Sequence, residues 1–171
     1  MVRRALIAML LAVAAVGGVG AVVAGGGPNA GGGRAGAGGV ARVTRVVDGD
    51  TVVVSLRGRL ERVRYIGMDT PESVKPGVPV QCYAKAAAAE NRRLVRGRRV
   101  RLVVGAEPRD RYGRLLAYVY RASDGLFVNA ELVRRGYARL LTIPPNVAHA
   151  GQLRRLAVRA RRAGRGLWSR C

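Results

Sequence analysis

Histidine, cysteine and lysine are scarce in this sequence, and their scarcity excludes several kinds of catalytic site. The single histidine, His149, would have to support a catalytic triad or a zinc site alone, so we expect it to be structural. The only cysteines, Cys82 and Cys171, are too far apart in the chain to form a CxxC metal or redox motif.

Acidic residues are also few: the chain has 10 Asp and Glu against 31 Lys and Arg, for a net charge of +21. Such a balance favours a polyanionic partner, which would be nucleic acid, an anionic membrane surface or an anionic cell wall. A composition that leans to Ala, Gly, Val and Arg, as in GC-rich coding, is a second explanation for the many arginines. The charge therefore agrees with nucleic-acid binding without establishing it.

The N-terminus has the composition of an export signal. Arg3 and Arg4 precede an apolar run over residues 5–24, which ends in the small residues Val22-Val23-Ala24. The run is also about as long as one membrane crossing, ~20 residues, so an uncleaved anchor is the alternative. Because its Gly-rich second half is weakly hydrophobic, cleavage is favoured. We therefore expect residues 1–24 to be an export signal or membrane anchor, and the protein to be secreted or anchored through residues 5–24.

The segment that follows has no means of forming a core. Residues 25–39 are almost entirely Gly and Ala and should be a flexible linker, so the folded domain is expected at residues 40–171. In an exported chain an even number of cysteines favours a disulfide, and we predict a bond between Cys82 and Cys171.

Apolar periodicity in the domain predicts five short strands with helices between and after them. In the third strand, Arg64 is in phase with Ile66 and Met68, which predicts that it points toward the apolar side of the sheet. The expected strands are Val43–Val47, Thr51–Leu56, Arg62–Met68, Arg99–Val104 and Leu115–Tyr120, and the expected helices are Tyr83–Arg96, Val128–Val133 and Leu153–Ala160.

Half of the acidic residues are concentrated in three short motifs. These are Val47-Asp48-Gly49-Asp50-Thr51, Asp69-Thr70-Pro71-Glu72 and Asp110-Arg111-Tyr112-Gly113-Arg114. A surface meant only to carry positive charge would be weakened by acids, so their clustering indicates chemistry. Convergent carboxylates suit a hard divalent cation, and phosphodiester hydrolysis needs cationic groups at the phosphate and a carboxylate that activates water.

The three motifs, in this order, resemble the thermonuclease (staphylococcal nuclease) family. The resemblance covers roughly residues 41–169 and includes Arg64, five residues before Asp69, and the trailing Gly166-Leu167-Trp168. It implies an α+β fold: a small five-stranded OB-fold barrel with about three helices, preceded by the N-terminal signal and linker. OB barrels present a face that takes single-stranded or frayed nucleic acid.

The resemblance also implies roles for individual residues. The side chains of Asp50 and Asp69 and the backbone carbonyl of Thr70 would hold one Ca²⁺, and Glu72 would activate or orient the attacking water. Taken alone, Asp50 reads as a turn residue, Asp69 as a helix cap and Glu72 as a solvated loop acid. The further roles are phosphate clamping during catalysis by Arg64 and Arg114, and contacts to a terminal phosphate by Arg111 and Tyr112.

Two departures from the family pattern bear on function. The middle helix begins Tyr83-Ala84-Lys85-Ala86-Ala87, without the glutamate often found there, so the Cys82–Cys171 bond is a candidate substitute for its tie to the terminal helix. A base-stacking tyrosine of the best-known member falls at Thr142, so base preference does not carry over.

The function implied by the resemblance is an exported Ca²⁺-dependent endonuclease that hydrolyses DNA, with RNA as a second candidate substrate, and leaves 3′-phosphate ends. We expect a monomer. One alternative is a non-catalytic nucleic-acid-binding module on the same barrel, which would more naturally have lost some of the acids. Another is a cationic wall- or membrane-associating protein, which leaves the clustered acids unexplained.

Overall fold

The structure, a computed structural model, describes residues 38–73, 77 and 79–171. The predicted export signal, residues 1–24, and most of the predicted linker lie outside the described residues, so those boundaries stay predictions. Among the described residues, no helix has both the length and the hydrophobicity that a membrane crossing requires.

Five strands close into a barrel in the order β1-β2-β3-β6-β5, which confirms the predicted five-stranded OB-fold. All neighbours are antiparallel except β3 and β6, which pair in parallel. A separate two-stranded sheet pairs β4 with β7. The elements in chain order are β1 (Val40–Val46), β2 (Thr51–Leu56), β3 (Arg59–Tyr65), β4 (Met68–Asp69), α1 (Ala84–Val95), β5 (Arg99–Arg109), β6 (Leu115–Arg121), α2 (Val128–Arg134), β7 (Arg139–Leu140), α3 (Ala150–Arg162) and α4 (Leu167–Arg170).

Alternating apolar residues along the strands fill the barrel. They are fully or almost fully buried and belong to one core: Ala41, Val43, Val52, Val54, Val63, Tyr65, Val100, Leu102, Ala117 and Val119. Burial of each Val or Leu side chain is worth about 1.5–3 kcal/mol. The polar residues between them face outward, which is the period-two pattern expected of a sheet with one apolar face.

The predicted third strand, Arg62–Met68, is wrong at its end. The strand β3 stops at Tyr65, and a turn with Gly67 at φ +83° starts the separate strand β4. This turn breaks the alternation, so Arg64 lies on the side of β3 opposite the buried Val63 and Tyr65, not on the apolar side. The side chain of Arg64 is thereby directed away from the core.

The helix α1 confirms the predicted helix between the third strand and β5. Its buried face includes Ala87, Ala88, Asn91, Leu94 and Val95. Gly97 follows the helix with φ +69°, the left-handed conformation that commonly ends a helix.

Two kinds of contact join the helices. Arg135, just after α2, bonds to Glu131 on α2 and to Glu90 on α1. The Cys82–Cys171 disulfide joins the chain just before α1 to the chain just after α4, with Cα atoms 5.9 Å apart. The predicted pairing is thus present in the structure, and it ties the start of α1 to the C-terminal segment where the family's glutamate is missing.

We predict that Cys171→Ser lowers the thermal stability without abolishing activity. The bond closes a loop with a sequence separation of 89, which in the chain-entropy model is worth up to roughly 4–5 kcal/mol. Differential scanning calorimetry with and without reductant provides the control: reductant should lower the Tm of the wild type toward that of Cys171→Ser and leave the variant unchanged. A wild type that is insensitive to reductant would contradict the prediction.

The ion pairs of Glu131 generate a pH prediction. Hydrogen bonds from Arg134, opposed by burial and supported by Arg135, lower the pKa of Glu131 from 4.5 to about 2. The ionised carboxylate therefore stabilises the fold above pH 4.5, and this contribution is lost as the pH falls toward about 2. The difference in Tm between the wild type and Glu131→Gln should be constant above pH 4.5 and should shrink as the pH falls below that value. A difference that does not depend on pH would refute the assignment.

Candidate active site

The site begins with the turn between β1 and β2. The side chain of Asp48 accepts a hydrogen bond from the Asp50 N–H at 3.0 Å, so Asp48 supports the turn. Asn91 of α1 donates to the Asp48 carbonyl at 2.9 Å. Gly49 lies so close to Thr70 that a Cβ at this position would come within 2.7 Å of the threonine side chain. The turn and Thr70 are therefore packed directly together.

Asp50 is buried under this turn, with 1% of its surface exposed. One carboxylate oxygen accepts hydrogen bonds from the N–H and the hydroxyl of Thr70, both at 2.8 Å. The other accepts from the Thr51 hydroxyl at 3.0 Å and from Arg64 at 2.6 Å. Burial raises the pKa of Asp50 to about 7, and the Arg64 guanidinium and the Thr70 donors act in the opposite direction.

Arg64 joins the two candidate metal carboxylates. One terminal nitrogen lies 2.6 Å from Asp50 and the other lies 2.6 Å from Asp69, whose side chain is 51% exposed. Both carboxylates thus converge on a single cation. This convergence is the arrangement that a divalent ion requires, and here the guanidinium engages one oxygen of each carboxylate.

The oxygen atoms of this cluster fit Ca²⁺ in their chemistry. Asp50 and Asp69 supply hard carboxylate oxygens, and no described group donates a hydrogen bond to the Thr70 carbonyl oxygen. Across the described part of the chain, no three His, Cys, Asp or Glu residues come together. Because Ca²⁺ takes six to eight oxygens, two carboxylates and one carbonyl would hold it weakly, with water completing the shell. A weak site suits an exterior with millimolar calcium.

A cavity of about 410 Å³ adjoins the carboxylate pair, and it contains the four residues predicted to contact phosphate. Arg64 forms part of its wall from β3, while Arg111, Tyr112 and Arg114 enter from the loop between β5 and β6. The lining also includes the apolar side chains of Leu116, Leu141 and Ile143. One pocket therefore combines cationic and apolar side chains.

Arg114 is held in this cavity by Asp110. The carboxylate of Asp110 accepts from the Arg114 side chain at 2.6 Å and from the backbone N–H groups of Tyr112 and Arg114 at 2.9 and 3.0 Å. Although burial acts against it, hydrogen bonding by Arg114 lowers the pKa of Asp110. The guanidinium carbons of Arg111 and Arg114 lie 4.8 and 5.3 Å from the centroid of the exposed Tyr112 ring.

Glu72 lies next to this arrangement in the chain but does not line the cavity. Its N–H donates to the Gln81 side chain at 2.9 Å, and its carboxylate accepts from the Ser73 N–H at 2.9 Å. Because Glu72 follows Thr70 by two residues, their Cα atoms are within about 7 Å of each other. The backbone of Glu72 is therefore close to the candidate metal ligand Thr70.

Sequence reasoning missed the carboxamides that hold the site. Asn91 accepts from the Tyr65 hydroxyl at 3.0 Å in addition to supporting the Asp48 turn, and Gln81 holds the backbone of Glu72. Asn146 pairs with both the N–H and the carbonyl of Glu107 at 3.0 Å, which fixes the loop after β7 onto β5. No motif marked these residues, because each one binds backbone or a side chain distant in sequence.

Two other predicted positions lie outside the cluster. Thr142 is exposed and does not line the cavity, whose wall at this point is formed by its neighbours Leu141 and Ile143. His149 packs against Tyr118 and Phe127, with ring centroids 4.6 and 4.9 Å away.

Comparison with known proteins identifies the family. The profile of the family described as "Staphylococcal nuclease homologue" matches residues 62–170. The chain belongs to this family. It is 43% identical over 128 residues to a thermonuclease of Staphylococcus intermedius, with 75% of each chain covered. It is 38% identical to a thermonuclease of Staphylococcus hyicus at the same coverage, and 38% identical to the endonuclease YncB of Bacillus subtilis, with 74% of this chain and 60% of that protein covered.

We predict that Asp50→Ala and Asp69→Ala weaken Ca²⁺ binding, whereas Arg64→Gln binds Ca²⁺ at least as tightly as the wild type. The arginine competes for the two carboxylate oxygens that the ion would use, so removing it leaves them available. Isothermal titration calorimetry without substrate gives the affinities. Asp124→Asn, which removes a carboxylate elsewhere, is the matched control. Weaker binding by Arg64→Gln, or unchanged binding by both aspartate variants, would contradict this assignment.

Proposed function

We propose that this chain is an exported, Ca²⁺-dependent endonuclease that hydrolyses phosphodiester bonds of DNA, with RNA as a second candidate substrate, and leaves 3′-phosphate ends. Membership of the staphylococcal nuclease family, with relatives named thermonuclease and endonuclease, supports a nuclease that acts on nucleic acid. The observation that carries the proposal is a cavity that both Arg64 and Arg114 line. Arg64 also pairs there with the carboxylates of Asp50 and Asp69.

The arginines would bind the scissile phosphate. A guanidinium has a planar fork that can donate to two phosphoryl oxygens at once, and it stays charged at every relevant pH. Arg64 enters the cavity from β3 and Arg114 from the loop before β6, so they would reach one phosphate from two directions. The exposed Arg111 and Tyr112 would contact a terminal phosphate of the substrate.

Glu72 would accept the proton of the attacking water. The water oxygen forms a bond to phosphorus and the bond from phosphorus to the 5′ oxygen breaks. That oxygen takes up a proton from solvent as it leaves, so the phosphate stays on the 3′ side. Arg64 and Arg114 stabilise the negative charge that increases on the phosphoryl oxygens in the transition state. Calcium, when bound by Asp50, Asp69 and Thr70, supplies further neutralisation of that charge.

The remaining parts of the proposal concern the protein outside the site. An export signal in residues 1–24 would deliver the domain to an oxidising, calcium-rich exterior, where the Cys82–Cys171 bond is stable. The protein would act there as a secreted monomer, and contact with a membrane would require that residues 5–24 stay attached.

The whole activity is tested by incubating the purified protein with plasmid and with single-stranded DNA, in Ca²⁺ and in chelator. Cleavage in Ca²⁺ alone is expected, and end-group analysis of the products should find 3′-phosphates. Binding without cleavage under both conditions would favour the non-catalytic module and reject the enzyme.

We predict that Glu72→Gln and Arg64→Lys lower kcat far more than they raise KM. Glu72→Gln keeps the shape but removes the basic oxygen, and general-base assistance is typically worth 10²–10⁴-fold. Arg64→Lys keeps the charge but loses the fork. Steady-state kinetics on a defined oligonucleotide separates kcat from KM.

The matched control is Glu107→Gln, which neutralises an exposed acid of the cavity wall outside the three motifs. It should keep kcat within about threefold of the wild type, because Glu107 has no assigned role in proton transfer. If Glu72→Gln behaves like this control, the base is not Glu72.

A further inference from the structure

The charges of this protein are segregated along the chain. Every Asp and Glu lies at or before Glu131, so residues 132–171 contain arginines and no acid. GC-rich coding accounts for many arginines, but it does not account for a stretch without acids. The region includes the longest helix of the structure, α3, which spans Ala150–Arg162.

The arginines of α3 occupy one side of the helix. Leu153 and Ala160 are buried, and Leu156 and Ala157 pack against the core between them. At 100° per residue, the arginines cover the opposite side. They are all exposed: Arg154, Arg155, Arg159, Arg161 and Arg162.

These arginines have no ion-pair partner among the residues that the structure describes. Some arginines in other helices and strands are paired, as in Arg93 with Glu90 and Arg109 with Glu61. Like charges four residues apart, as in Arg155 and Arg159, destabilise a helix by about 0.2–0.5 kcal/mol per pair. The α3 face therefore carries uncompensated positive charge at a cost to its own helix.

The helix α3 adjoins the candidate active site through its buried side. Leu153 packs onto Gly67, where a Cβ would come within 2.4 Å of the leucine side chain. Gly67 in turn lines the cavity that contains Arg64 and Arg114. The arginines lie on the side of the helix opposite Leu153. Only a ligand long enough to leave the cavity and pass around α3 would contact them, so a ligand of one or two nucleotides would not.

We propose that the exposed arginine face of α3 is a second binding surface for the phosphate backbone of nucleic acid, and that it retains long substrates. The proposal rests on the proposed nuclease function and adds to it a preference for polymers over short fragments. Arg155, Arg159 and Arg162 form one row of about 10 Å along the helix. This length matches roughly three phosphates of one strand at 3.4 Å of axis each.

The test compares two triple variants of the full chain. One is Arg155→Gln, Arg159→Gln and Arg162→Gln. The matched control is Arg92→Gln, Arg96→Gln and Arg98→Gln, which removes the same charge from exposed arginines at the end of α1. Binding to a 30-base-pair duplex is measured by fluorescence anisotropy between low and moderate salt, with chelator present so that no cleavage occurs.

The α3 variant should lower the slope of log Kd against log salt by roughly 2 to 3, at about 0.9 per lost phosphate contact, and the control should lower it by less than 1. With Ca²⁺, the α3 variant should raise KM for long duplex DNA and leave cleavage of a dinucleotide ester unchanged. Equal slopes for the two variants would overturn the proposal. Equal loss of dinucleotide cleavage would also overturn it, because the arginines would then serve the fold or the catalytic site.

Vesicles separate this proposal from a membrane role. If the α3 variant keeps duplex binding but loses its preference for phosphatidylglycerol vesicles over phosphatidylcholine vesicles, the face binds lipid and the proposal is wrong. The binding experiment also stands apart from catalysis. If the wild type cleaves nothing, but the α3 variant still lowers the salt slope more than the control variant does, the nuclease function is rejected and the α3 surface is supported.

Discussion

The buried carboxylate of Asp50 is the contact on which the arrangement of the site depends. It accepts hydrogen bonds from Thr70 after β4, from Thr51 at the start of β2 and from Arg64 on β3. Three chain segments are thereby held at one point inside the protein. A buried acid is costly unless it is paired and hydrogen-bonded, and here both carboxylate oxygens have partners. These partners offset part of the cost of burying Asp50, whose pKa is nevertheless raised, and they hold its neighbours in place.

Side-chain carboxamides supply the second level of support. Asn91 joins α1 to the Asp48 turn and to Tyr65, while Asn129 of α2 accepts from the Val119 N–H and donates to the Ile66 carbonyl. Asn146 holds the loop after β7 against β5. A carboxamide has both a donor and an acceptor, so it can satisfy a backbone N–H and a carbonyl together without adding charge. This protein uses that property to attach its helices and loops to the barrel.

Much of the fold could be predicted from the sequence, because alternating apolar residues such as Val52 and Val54 report directly which side of a strand is buried. The disulfide was predictable from cysteine count and expected compartment, and it is present in the structure. The end of β3 was not predictable, because the turn at Gly67 changes the phase of the alternation between buried and exposed residues without changing the composition. The short β4–β7 sheet was missed for a related reason: two-residue strands carry no periodicity.

The candidate site was recognised by motif order, but its internal contacts were not predicted. That Arg64 would bridge Asp50 and Asp69 depends on where β3 places it relative to two other segments, which is a tertiary property. The contacts of the supporting carboxamides could not be predicted from the sequence for the same reason. The roles assigned to Glu72, to the metal ligands and to the phosphate arginines stay predictions, while the family and the barrel are confirmed.

The parallel pairing of β3 with β6 has a consequence for how the protein would lose activity. Arg64 pairs with Leu116 in this register, and Arg114 lies one residue before β6, so this contact brings the two arginines to one cavity. The same contact is a seam at which strands distant in sequence complete the ring, as is the pairing of β1 with β5. An open ring would separate the two guanidinium groups while leaving most local structure in place. Catalytic activity would then depend on whether β3 and β6 remain paired. Heat inactivation would coincide with the opening of the ring rather than with the melting of any single helix.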